Sequence, residues 1–297
     1  MGNRMKLKFI SMVLLLLLPL KVQAQTKYWV FFKDKGLNEL EKLSAKQLLK
    51  DKLLPETLER RAKVLSQTEL IDEYDLEIYQ PYLDSLKQKS IAVVAKSRWL
   101  NAVSVKLGKV SVEEILVLPF VRDVRVVSAL NRKEPPEMND IQLRKPQNYQ
   151  LDYGASLQQN ELIRVTDVHD LGLSGAGVIV GMLDTGFNYE FHEAFQHLKI
   201  LGEYDVINDD STTKNEQNDL PGQHSHGTIS LSVIAGFKET ELIGPAYNAS
   251  YFLAKTEDDA NEYPQEEDFW VVGLEWLESR GVDVASSSLG YNDWYRY

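Results

Sequence analysis

The sequence predicts an α/β protein in two parts: a doubly wound parallel sheet over the C-terminal half, with a smaller α+β unit ahead of it. Val178 to Leu183 is an unbroken apolar run around one glycine, bounded by Gly175-Ala176-Gly177 and Gly186, which is the pattern of a strand covered on both faces. After it, strand and helix patterns alternate: the strand ending at Asp184, a helix from Ile229 to Ala235, a strand from Ser250 to Lys255, an amphipathic helix to Arg280 and a strand from Val282 to Ala285. Strands separated by helices run parallel. Before it, residues 28 to 127 give strand, helix, two strands, helix, strand.

The first 24 residues stand apart. Arg4, Lys6 and Lys8 precede an apolar run from Phe9 to Leu20, and Val22-Gln23-Ala24 supplies small residues where a signal peptidase cuts. Residues 1–24 are therefore expected to be a signal peptide, the run being short for a membrane span, with an uncleaved anchor as the alternative. Tyr28 to Phe32 is an aromatic strand. Leu37 to Leu65 is rich in Leu, Lys and Glu at helical spacing and contains Pro55, so it predicts two helices broken near that proline. Arg60-Arg61, on a charged helix, is expected to be solvated surface rather than a processing site. Pro81 to Lys89 is a helix, Ile91 to Arg98 and Leu100 to Leu107 are strands, Ser111 caps a helix to Leu118 and Val121 to Val127 is a strand. This is the split βαβ order of ferredoxin-like units, lengthened by a helical insertion from Lys46 to Tyr74. Residues 25–130 form this unit, and residues 131–150, with Pro135, Pro136 and Pro146, form a linker to residues 151–297.

In the C-terminal half a helix is predicted from Asn160 to Leu171, ended by Gly172. Asp184 lies at the carboxyl end of its strand, where open α/β sheets place their ligands. His226 opens the next helix, with Ser225 as its expected N-cap. A carboxylate at a strand end and an imidazole at a helix start are two members of a Ser-His-Asp relay. Asp184-Thr185-Gly186 alone would also fit an aspartic protease, but that chemistry needs two such carboxylates and no second copy occurs. His224 and His226 lack a following Glu at metalloprotease spacing, so no zinc site is expected. The polar loop from Asn208 to Asp219 offers oxygen ligands without the spacing of an EF-hand.

The apolar strand followed by Asp184-Thr185-Gly186, the segment His226-Gly227-Thr228 and then Ser288-Leu289-Gly290 resemble, in that order, the motifs of subtilisin-like serine proteases. The resemblance implies that Asp184 and His226 are catalytic and that Ser288, Leu289 and Gly290 form the edge on which substrate backbone pairs. It implies that His192 packs rather than reacts, while His169 and His197 have no assigned role. It further implies that residues 25–130 are an inhibitory pro-domain that assists folding. The family has an acidic residue and a glycine before His-Gly-Thr; Gln223-His224-Ser225 stands here instead. The family's nucleophile lies in a later Gly-Thr-Ser-x-x-x-Pro segment, which is not in this sequence, and Ser286, Ser287 and Ser288 do not match it. The expectation is a secreted serine endopeptidase precursor with an incomplete catalytic sheet, inactive as it stands. Its partners would be peptide or protein substrates and its own pro-domain. No cofactor is required for the chemistry, and calcium is a candidate structural ion. The rival reading is a non-catalytic secreted protein that binds or inhibits a separate protease.

Composition limits the alternatives. The 297 residues are 43% hydrophobic and contain no cysteine, which excludes disulfides and thiol catalysis. Residues 25–150 carry 22 Lys+Arg against 18 Asp+Glu, and residues 151–297 carry 7 against 26. The second half repels nucleic acid and anionic membrane, and the asymmetry predicts either solubility alone or attraction between the halves.

Overall fold

The computed structural model describes residues 27–127, 149–259 and 265–290. The expected signal peptide and almost all of the expected linker lie outside these residues. The N-terminal unit contains β1 (Lys27–Phe32), α1 (Glu39–Lys50), α2 (Pro55–Ala62), α3 (Gln80–Gln88), β2 (Ala92–Ser97), β3 (Ala102–Lys106), α4 (Val112–Leu116) and β4 (Val121–Val126). Local chemistry sets the helix starts. Asn38 and Ser111 form capping boxes with Glu41 and Glu114, and Pro55 begins α2 rather than merely ending α1. The sheet is antiparallel in the order β2-β3-β1-β4, the ferredoxin-like arrangement. Alternate residues Val30 and Phe32 of β1 and Val103 and Val105 of β3 bury against Leu83 and Leu86 of α3 and Ile115 of α4.

The C-terminal unit contains α5 (Leu157–Leu162), α6 (Val165–Asp170), β5 (Ile179–Asp184), β6 (Lys199–Asp205), α7 (Ser225–Ala235), the short pair β7 (Phe237–Lys238) and β8 (Leu242–Ile243), β9 (Ser250–Lys255), α8 (Gln265–Ser279) and β10 (Val284–Ser287). Its main sheet is parallel, in the order β10-β5-β9-β6. Val180, Met182, Tyr251 and Leu253 face Leu231 and Ala235 of α7, while Leu183, Phe252 and Ala254 face Leu277 of α8. The two layers of helices confirm the doubly wound architecture.

Four sequence expectations are corrected. The single helix expected over 160–171 is two, because Arg164 takes a left-handed backbone (φ 62°) between them. β6 is a strand that the sequence pattern does not predict; its half-buried, irregular face carries no clean alternation. His224, not Ser225, is the N-cap of α7, and its side chain makes no capping bond. Ser286 and Ser287 belong to the last strand, which begins at Val284.

Candidate active site

The ends of β5 and β9 and the start of α7 meet at one place. Asp184 is fully buried at the end of β5, and its Oδ1 accepts from the backbone N–H of Thr185 at 2.8 Å and from Nδ1 of His226 at 2.7 Å. With Nδ1 donating, Nε2 of the half-exposed imidazole is left facing outward as the basic nitrogen. Asp184 Oδ2 accepts no hydrogen bond among the described residues.

The helix start is fastened to the strand end by the residues between and around them. Thr185 Oγ1 accepts from Gly227 N at 3.2 Å, and Thr228 Oγ1 accepts from Asn188 N at 2.9 Å while donating to His224 O at 2.6 Å. Gly227 has to lack a side chain. A Cβ there would lie 2.1 Å from Gly186 O and 3.0 Å from Asp184 Cβ, so any larger residue would push the imidazole away from its carboxylate. Gln223, buried, donates to Glu257 O at 3.1 Å and so links the loop before α7 to the loop after β9. Nothing in the sequence marks Thr185 or Gln223 beyond their nearness to the motifs.

A buried carboxylate bonded to an imidazole at the carboxyl edge of a parallel sheet has the geometry that two members of a nucleophile-activating relay require. The peptidase S8 propeptide domain of Bacteroidota matches residues 27–142, and the subtilase family matches residues 175–296. The two matches follow each other in the order of a subtilase precursor, propeptide domain first. It is 30% identical over 129 residues to subtilisin DY of Bacillus licheniformis, a stretch that is 43% of this chain and 43% of that one. The chain thus spans less than half the length of that relative. Among solved structures, fervidolysin from Fervidobacterium pennivorans, a keratinolytic enzyme related to subtilisin, matches with a TM-score of 0.50 and 18% identity, over 88% of this chain and 35% of that one. At that identity the likeness establishes the fold.

Ser288, Leu289 and Gly290 follow β10, the strand beside β5, with Ser288 and Gly290 exposed. The other histidines have structural partners. His224 Nδ1 donates to Asn215 Oδ1. His192 Nδ1 accepts from Ala194 N at 3.2 Å. His169 donates to Pro245 O and accepts from Tyr153, and His197 donates to Ala235 O, its basicity lowered by burial.

The end of β6 and the polar loop after it place carboxylate oxygens of Asp205, Asp210 and Glu216 within 4.8 Å of one another. These are hard oxygen donors suited to calcium. The buried side of the group is already balanced, because Lys255 Nζ lies 2.8 Å from both Asp205 and Asp219.

The two units meet along α8. Near its start, Lys27 Nζ stands 5.8 Å from the Phe269 ring centroid, and the buried Asp268 faces Lys27, Trp29 and Ser104. In the middle, Glu275 accepts from Ser97 Oγ at 2.5 Å and from the backbone N–H groups of Arg98 and Trp99 at 3.2 Å. At the end, Glu278 meets Arg60 and Arg61. Arg60-Arg61 is thus not solvated surface, as its charged helix suggested; Arg61 is 7% exposed.

Proposed function

We propose that this chain is the pro-domain and the first part of the catalytic domain of a secreted subtilisin-type serine endopeptidase. The observation that carries the reading is the 2.7 Å bond from His226 Nδ1 to the buried Asp184. In the proposed mechanism Asp184 fixes the tautomer and stabilises the imidazolium, and His226 Nε2 takes the proton of a serine supplied by a segment beyond this sequence. Ser288, Leu289 and Gly290 pair with extended substrate backbone, adding a strand. The chemistry needs no cofactor, and the place for a structural calcium ion is the group formed by Asp205, Asp210 and Glu216. The units are residues 25–130, a linker to 150 and residues 151–297, after a signal peptide of residues 1–24. Among the described residues no helix is long and apolar enough to cross a membrane.

The test is direct. The purified 297-residue chain is expected to show no casein cleavage that a serine-directed inhibitor blocks, and fusion to a downstream segment carrying the serine motif is expected to create it. Inhibitor-sensitive cleavage by the chain alone would refute the division of the machinery, and an inactive fusion with a native sheet would refute the peptidase reading. Mass spectrometry of exported material is expected to find Gln25 at the N-terminus; a membrane-bound product that keeps Met1 would contradict secretion.

A further inference from the structure

The two helices of the insertion, α1 and α2, have no part in the core of the N-terminal sheet: α1 buries none of its residues, and of the two that α2 buries, Thr57 bonds to the other unit and Arg61 bridges both. All five N–H groups of Arg61 are used. Nη1 donates to Leu70 O at 2.6 Å and to Asp75 at 2.9 Å, Nη2 to Asp75 at 2.6 Å and to Glu278 at 2.8 Å, and Nε to Glu278 at 2.9 Å. The planar guanidinium therefore grips one carboxylate of its own unit and one of α8, a fork geometry lysine cannot reproduce. Arg60 reaches Glu278 as well, and Lys63 lies 3.2 Å from Asp283. Thr57 Oγ1 donates at 2.9 Å to the carbonyl of Ser279, one of the orphan acceptors at the end of α8.

Shape adds to charge. Gly281 follows α8 with φ +80°, and a Cβ there would lie 2.8 Å from Thr57 N and 2.9 Å from the Glu56 carbonyl carbon. The first turn of α2 sits where only a glycine leaves room. Among the described residues every ion pair across the seam has its cation, Arg60, Arg61, Lys63 or Arg98, on the N-terminal unit and its anion, Glu275, Glu278 or Asp283, on the other.

We propose that the insertion is a clamp that fastens the pro-domain to the catalytic unit. It fits a helix end of one chemistry: a glutamate in the last turn, an open carbonyl next to it and a glycine with left-handed backbone two residues on. The β1–β3 face and the turn at Ser97 to Trp99 hold the first two thirds of α8, and the clamp closes the last turn. Asp75 keeps Arg61 in place, so the fork is preorganised for Glu278. A catalytic unit lacking that helix end would be held by the sheet alone, which makes the clamp a selector of cognate partners. The role in holding a pro-domain rests on the proposed function; the contact itself does not.

The test uses the full chain and amide hydrogen exchange. Glu278→Gln is expected to raise exchange over residues 57–62 at least tenfold while leaving β9 unchanged, and Asp75→Asn is expected to do the same, the double variant adding little because one guanidinium serves both. If Arg61 merely braces its own unit, Asp75→Asn opens α2 and Glu278→Gln leaves it within twofold of the parent, which overturns the proposal. An equal rise in β9 also overturns it, because the variant would then loosen the whole unit. In a chain completed with the serine segment, Glu278→Gln is expected to shorten the lag before activity severalfold, and an unchanged lag with an opened α2 refutes the role in release. Failure of the completed chain to cleave any substrate would sink the peptidase reading and leave the exchange result standing.

Discussion

In a chain completed with its serine segment, Asp184→Asn is expected to lower kcat about 10⁴-fold with KM little changed, the size of loss seen when the corresponding aspartate is replaced in other serine-protease relays. The structure gives the reason. Asp184 Oδ1 accepts from both Thr185 N and His226 Nδ1. An amide in its place can turn either its oxygen or its NH₂ toward the ring. The Thr185 N–H selects the oxygen at Oδ1, so the NH₂ falls at the unpartnered Oδ2 position in a fully buried site, an unfavourable arrangement. Turning the amide around satisfies neither N–H and presents a donor to Nδ1, which favours the wrong tautomer. In both arrangements the imidazolium loses its counter-charge. The measurement is steady-state cleavage of a peptide ester and amide, with folding checked by exchange in β5 and β9. A loss under tenfold would show that Asp184 does not serve the relay.

The second large effect is on the seam, and acid should tighten it. Burial pushes the Asp268 carboxyl up to about 6 from 3.8, against the smaller pull of Ser104, Lys27 and Trp29, and burial likewise raises Glu275. Burial also lowers Lys27 to about 8. A carboxyl raised in the docked state favours docking below its undocked value, and that advantage is lost as pH rises through about 6. For Asp268 the upward shift makes docking more favourable in acid than at neutral pH. Lys27 acts in the opposite direction: its depressed value favours docking above its ordinary range, an advantage lost as pH falls through about 8. The seam should therefore be weakest between about 6 and 8, where both groups are charged and buried. Urea-induced separation of the units, followed through Trp29 and Trp99, should need more urea at about pH 5 than at about pH 7, and Asp268→Asn should flatten that acid limb. Equal midpoints at both pH values for the parent chain would refute the assignment.

What the sequence discloses follows from how local the determinants are. β5 was legible because an apolar run between glycines specifies a doubly covered strand, and Asp184 and His226 because each sits beside small residues that the geometry demands, Gly227 above all. β6 was not, since a half-buried strand near a sheet edge mixes Lys199, Glu203 and Asp205 with Ile200 and Tyr204. The break at Arg164 was hidden because a non-glycine residue takes the left-handed backbone there without a sequence signal. The clamp was the least legible feature. Arg61 and Glu278 are separated by 217 positions, and each lies on a charged helix where solvation is the ordinary outcome. Similarly, Asp268 and Glu275 lie two turns apart on α8, and their burial is imposed by a partner sheet that the helix sequence does not announce.

The pairing of Val180 with Val284 carries a kinetic consequence. β5 and β10 are neighbours in the sheet although roughly a hundred residues separate them along the chain, so their union must wait on a long loop closure, and chains dominated by such distant contacts fold slowly. Within the N-terminal sheet β1 and β4 carry the same handicap, since Tyr28 pairs with Val126, while β2 and β3 are joined by a short turn. Once formed, that hairpin offers α8 a surface with Ser97 and Arg98 already in place. Once α8 is captured there, Val284 starts its search for Val180 only a few residues from a fixed point.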